Sequence, residues 1–114
     1  MENCLFCKIV LKQIPAAIEY EDESVLIFKD INPQAPTHCL VIPKKHVAGI
    51  GELQESLLDE KLAGEVLVKA AAFARNRNIP DYRLVVNNGR EAGQTVFHLH
   101  VHLLGGRPLT WPPG

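Results

Sequence analysis

The sequence predicts an α+β domain: an antiparallel, five-stranded sheet with one long helix laid on a face. Three observations carry this. Two apolar, β-branched runs, VLIFKDI (25–31) and THCLVIP (37–43), come first. One window of helical periodicity follows at 55–78. Two more strand-like runs, YRLVVNNG (82–89) and TVFHLHVHLLGG (95–106), come after it. Strands, then a helix, then strands is the order of an α+β fold.

Each element has a local reason. Residues 6–12 form one short helical turn after the first cysteines, and Pro15 ends it. Ile18 and Tyr20 alternate before an acidic turn, which predicts a short first strand. The runs at 25–31 and 37–43 flank NPQAP (32–36), whose two prolines bar regular structure. They read as a hairpin or meander. In the helix, Ser56 and Asp59 resemble a capping box. Leu58, Leu62, Val66, Ala70 and Phe73 make a stripe at helical spacing that is expected to pack on the sheet. Leu57, Gly64, Val68 and Ala72 form a second, smaller-sided flank, wide enough to meet a partner subunit. The runs at 82–89 and 95–106 are joined by REAG, with Gly89 and Gly93 as hinges, and are expected to pair antiparallel. RPLTWPPG (107–114) is an extended tail. No internal repeat or low-complexity segment is visible.

Composition narrows the function. A chain of 114 residues is expected to be a single domain, 1–114. Apolar content is 46% and charged content 22%, with a net charge of −1. No lysine-rich arm points to nucleic acid. No apolar run approaches the roughly 20 residues of a membrane span. MENCLFCKIV lacks the basic-then-apolar pattern of a secretory leader. A cytoplasmic location is therefore expected, with all three cysteines reduced. Cys4-x-x-Cys7 is then a metal half-site, a redox motif or an accident of sequence. A redox motif would follow a strand, and none is predicted before it.

Three of the five histidines, His98, His100 and His102, sit at alternate positions. In a strand they share one face, and Leu99, Val101 and Leu103 point into a core. Neighbours are then about 6.5 Å apart at Cα, and the outer pair about 13 Å. All three cannot reach one zinc through bonds of about 2.0–2.1 Å. Burying three imidazoles requires a partner for every ring nitrogen. The triad must divide its labour. One end can join Cys4 and Cys7 in a Cys₂His₂ site, with His38 and His46 as the histidines outside the triad. The central His100 is expected to face open surface, where a neutral imidazole is a good nucleophile and leaving group. Gly93-Gln94-Thr95 offers backbone amides and a hydroxyl to an anion or oxyanion. There is no GxxxxGK phosphate loop. Asp30 is either a turn residue or a ligand for a ribose diol.

His98-Leu99-His100-Val101-His102-Leu103-Leu104 fits the alternating signature of the histidine triad superfamily. DINPQAPTHCLVIPKKH (30–46), VVNNG (85–89), AGQTVFH (92–98) and GGRPLTWPPG (105–114) resemble its Hint branch, the histidine triad nucleotide-binding proteins. The resemblance covers almost the whole chain. It implies the histidine triad fold, with sheets joined across a homodimer. It implies hydrolysis of purine nucleoside phosphoramidates to AMP and an amine. His100 would be the nucleophile, forming a nucleotidyl-histidine. His102 and His38 would contact phosphate, and His98 would complete the triad. Thr95 stands where this branch usually has serine and keeps the hydroxyl. Phe6, Phe28, Asp30 and Ile31 match the nucleoside pocket. Asn87, Gly93, Gln94 and Thr95 match the phosphate side, and Trp111 would approach the partner's site. Bacterial relatives with the cysteine pair resemble a zinc-bound type, with ligands at Cys4, Cys7, His46 and His98. Such a zinc would be structural, and the chemical step would need no metal. Alternative readings are a dinucleoside polyphosphate hydrolase and a nucleotide-binding regulator. A nucleotidyltransferase would carry glutamine in place of His102.

Overall fold

The computed structural model describes residues 3–114. The chain opens with helix α1 (Leu5–Val10) and then forms strands β1 (Ile18–Glu21), β2 (Val25–Lys29) and β3 (Thr37–Pro43). Helix α2 (Leu57–Asn76) follows, then β4 (Tyr82–Val85) and β5 (Val101–Gly105). All strand pairs are antiparallel, in the order β1-β2-β3-β5-β4. β5 thus inserts between β3 and β4. No helix among the described residues is long and apolar enough to cross a membrane.

Both faces of the sheet are covered, which is why β2 and β3 read as continuous apolar runs. On one face, Val25, Ile27, Cys39, Val41, Val101 and Leu103 pack against Val66, Ala70, Phe73 and Ala74 of α2. On the other, Leu26, Phe28, Leu40 and Ile42 pack against Phe6 and Ile9 of α1. Cys39 is thus small apolar filling in the α2-side core. His38 and His102 lie on the α1 face, alternating with these core residues.

Four sequence expectations are corrected in detail. β5 begins only at Val101, not at Thr95. It stays in register with β3 from Val41↔Val101 to Thr37↔Gly105. Residues 95–100 peel away to meet the loop after β3, and the Leu99 amide donates to the Val47 carbonyl at 2.6 Å. β4 stops at Val85, and a 3-10 turn at Arg90–Ala92 lies in the connection. Gly89 and Gly93 bracket that turn with φ of 93° and 97°, which favour glycine. The helical stripe begins to bury only at Val66. Leu58, expected to pack, is 76% exposed in the first turn of α2. Ser56 does cap α2, accepting from the Asp59 amide at 3.2 Å. The Asp59 carboxylate accepts instead from the Gln54 amide.

Asp22 ties the β1–β2 turn to α2. Its Oδ1 accepts from the Ser24 and Val25 amides, both at 2.8 Å. Its Oδ2 accepts from the Tyr20 hydroxyl and the Lys69 ammonium. Partial burial pushes the carboxyl up, but these four donors together override it and hold it well below the usual range. Its stabilising contribution is therefore present above pH ~4 and is lost as the pH falls further. We predict that Asp22→Ala lowers unfolding free energy by about 1–2 kcal/mol, read from urea denaturation at pH 7. A midpoint equal to wild type would contradict this role.

Candidate active site and metal centre

The described structure divides the triad among three environments. His98 is fully buried. Its Nε2 lies 2.8 Å from the Pro43 carbonyl, an acceptor only, so Nε2 carries the proton and Nδ1 presents its lone pair. That Nδ1 lies 3.3 Å from His46 Nδ1, 3.4 Å from Cys4 Sγ and 3.6 Å from Cys7 Sγ. Cys7 Sγ is 3.3 Å from His46 Nδ1. All four donor atoms lie within 4.8 Å of one another.

The donor set passes a geometric test for a tetrahedral, thiophilic metal ion. Two nitrogens bound at about 2.05 Å would be about 3.3 Å apart, and a nitrogen and a sulfur about 3.6 Å. The spacings match without rearrangement. Cys4 caps α1 and accepts from the Cys7 amide at 3.3 Å. Of the two outside histidines left open by spacing, His46 joins the cysteines and His38 does not.

His100 is the second environment. Its Nδ1 lies 2.8 Å from the backbone carbonyl of His98, which can only accept. The proton therefore sits on Nδ1, and Nε2 keeps a free lone pair. His100 was expected on open surface. It is instead 7% exposed and lines a cavity of about 340 Å³ between α1 and the sheet. The Phe6 ring, 5.2 Å away edge-on, encloses it.

His102 is the third. His38 Nδ1 accepts from the Gln34 amide at 3.0 Å, which puts the His38 proton on Nε2. That atom lies 2.9 Å from His102 Nδ1 and 3.4 Å from Asp30 Oδ2. His102 Nδ1 accepts, and its Nε2–H is left as a donor. Asp30 Oδ1 meanwhile accepts from the Asn32 amide at 2.8 Å. Asp30 thus shapes the turn with one oxygen and faces His38 with the other. Burial holds His102 down to about 4, helped by the neighbouring His100 and His38. Burial also lowers His38, against the opposing pull of Asp30. Both rings are neutral at pH 7.

The cavity wall brings together Phe6, Phe28, Asp30, Ile31, Thr95, His100 and His102. His38 stands behind His102. Asn87 and Gly93 are not part of this wall; a Cβ added at Gly93 would lie 3.7 Å from the Asn87 amide nitrogen. The Gln94 side chain turns away from the cavity. It is 3% exposed, accepts from the Gly89 amide and donates to the Ala48 and Val96 carbonyls. Trp111 is outside the cavity, 80% exposed, with the Arg83 guanidinium 5.9 Å from its ring. Sequence reading missed Ile9, Ile14, Ala16, Leu40 and Val96 in the apolar wall. Leu40 was findable, because it shares a strand face with His38.

A buried imidazole with a free lone pair thus lies beside a second that offers a proton. Comparison with known proteins gives the family. A HIT domain profile matches residues 11–109. An uncharacterized HIT-like protein of Synechocystis sp. is 54% identical, over 99% of this chain and 98% of its own length. The crystal structure of a HIT family hydrolase from Legionella pneumophila is 49% identical, with a TM-score of 0.94, covering 98% of this chain and 100% of that one. A HIT family hydrolase from Clostridium thermocellum is 47% identical, with a TM-score of 0.90 over 96% of each. The chain belongs to the HIT domain family.

The tautomers carry a pH consequence. His38 and His102 protonate near pH 6.5 when unfolded but resist it when folded. The unfolded state then binds more protons, so stability falls as the pH drops from about 6.5 towards 4. Each such ring steepens the fall by up to about 1.4 kcal/mol per pH unit. His102→Gln is expected to flatten the slope of unfolding free energy over this range. An equal slope in wild type and variant would contradict the assignment.

Proposed function

We propose that the protein is a hydrolase of the Hint type that cleaves purine nucleoside phosphoramidates. The reaction releases AMP and an amine through a nucleotidyl-histidine at His100. The single observation that carries this is the bond from His100 Nδ1–H to the His98 carbonyl, which leaves Nε2 as the nitrogen free to act as nucleophile in the cavity wall.

The residues fit the steps. Phe6, Phe28 and Ile31 offer apolar surface to the base and sugar, and Asp30 offers a carboxylate to the ribose hydroxyls. His100 Nε2 attacks the α-phosphorus and forms a P–N bond while the bond to the leaving amine breaks. The amine departs with a proton. His102 Nε2–H and the Thr95 hydroxyl are the donors for phosphate oxygens and leaving nitrogen. Water then attacks the phosphorus of the intermediate and releases His100 and AMP. Asn87, Gly93 and the backbone at Gln94 and Thr95 supply further phosphate contacts. His38 fixes His102 as a donor, and Asp30 steadies positive charge that reaches His38.

Zinc is the ion assigned to Cys4, Cys7, His46 and His98. It would fasten α1 to His46 and His98 and take no part in the chemical step. A homodimer is supported by two features. Among the described residues the outer edge of β4 pairs with no strand, and the flank of α2 leaves Leu57 and Val68 exposed. Pairing of two β4 edges would join the sheets, and a partner could cover exposed apolar side chains of α2. Trp111 would then reach a partner's cavity. The reduced thiols that such a zinc needs agree with a cytoplasmic setting.

His100→Ala is expected to abolish turnover of an AMP-amine substrate, with AMP binding retained, measured by product release and by calorimetry. Turnover in that variant would remove His100 as nucleophile. Faster turnover of diadenosine polyphosphate than of AMP-lysine by wild type would favour the neighbouring polyphosphate-cleaving branch.

A further inference from the structure

We propose that metal at the Cys4–Cys7–His46–His98 cluster and nucleotide in the cavity bind cooperatively, with α1 as the coupling element. This rests on the nucleotide reading above. Three of the four metal donors, and six residues of the cavity wall, come from the same two short segments. One is Cys4–Ile9, which gives two sulfurs and the wall residues Leu5, Phe6 and Ile9. The other is Thr95–His100, which gives His98 to the cluster and Thr95, Val96 and His100 to the wall.

The two segments differ in what else holds them. The second is pinned without metal, by His98 on the Pro43 carbonyl and by the Leu99 amide on the Val47 carbonyl. The first is a helix of six residues, too short to persist alone in water. Among the described residues, the side-chain hydrogen bonds that tie residues 4–10 to the rest of the chain all run through Cys4 and Cys7. Apolar packing of Phe6 and Ile9 supplies the remainder. Phe6 lies between the two cysteines in sequence. Its ring sits 5.3 Å from Phe28, 5.2 Å from His100 and 6.0 Å from His98.

Fixing the sulfurs therefore orders the wall that a nucleoside would meet. A nucleoside that orders the wall in turn holds the sulfurs in place for metal. The cost of ordering α1 is met once for two ligands, which makes their binding cooperative. Linkage requires the effect to be reciprocal: the factor by which metal strengthens nucleotide binding equals the factor by which nucleotide strengthens metal binding.

The test is a pair of titrations. AMP is titrated calorimetrically into zinc-loaded and chelator-stripped protein. Zinc affinity is measured by competition with a chromophoric chelator, with and without saturating AMP. The expected result is roughly a tenfold loss of AMP affinity on stripping, with the same factor in the zinc competition. Phe6→Ala keeps all four donors. It is expected to bind zinc, with AMP changing its zinc affinity by less than about twofold. That arm uses loaded protein and decides the matter even where stripping unfolds the chain. Equal zinc affinity with and without AMP in wild type would overturn the coupling. So would full coupling in Phe6→Ala, or protein purified without chelator that neither carries nor takes up zinc. Failure of AMP to bind either form would overturn the nucleotide reading itself, and this inference with it.

Discussion

One residue, His98, sets the arrangement of everything near the cavity. Its ring Nε2 is held by the Pro43 carbonyl at the end of β3. That bond turns its Nδ1 towards Cys4, Cys7 and His46. Its backbone carbonyl takes the Nδ1 proton of His100. A single buried histidine thus fixes the geometry of the four-donor cluster on one side and the tautomer of His100 on the other. It is fully buried, so any ring flip would strand a polar nitrogen away from water, at a cost of about 1–3 kcal/mol. The fold makes the position rigid because β3 is buried along nearly its whole length.

A second chain of hydrogen bonds does for His102 what the His98 carbonyl does for His100. It begins at the Gln34 amide, in the proline-flanked loop after β2, and passes through His38. The outcome is opposite. His100 presents a lone pair and His102 presents a proton. Two imidazoles, alike in sequence and 5.0 Å apart at their ring centres, are thereby given complementary hydrogen-bonding geometry. Burial keeps His102 from charging, so its proton is present as a donor throughout the neutral range. The apolar wall from α1 closes the cavity and lowers the local dielectric, which strengthens the hydrogen bonds aimed into it.

Much of this was legible in the sequence, because period-2 and period-3.6 patterns report burial directly. The five strands and the α2 core residues Val66, Ala70 and Phe73 were readable in that way. The alternation of His98, His100 and His102 with Leu99, Val101 and Leu103 correctly separated one face from the other. Strand geometry also required the triad to divide its labour. Pattern failed where tertiary bonds replaced ladder bonds. The segment 95–100 has the composition of a strand, yet it leaves β3 to meet Val47. Leu58 continues the helical stripe but is exposed. The Gln94 side chain braces three backbone segments, a role that no local spacing encodes. The tautomers were invisible for the same reason, since each depends on a carbonyl or amide distant in sequence or on the course of the backbone.

The central claim is that phosphorus passes through a covalent bond to His100. The stereochemical course at phosphorus tests this most directly. A nucleoside phosphoramidate made chiral at phosphorus by sulfur substitution is hydrolysed in isotopically labelled water, and the product configuration is determined. Two successive in-line displacements, one by His100 and one by water, predict net retention. Net inversion would mean a single displacement by water and would contradict the account.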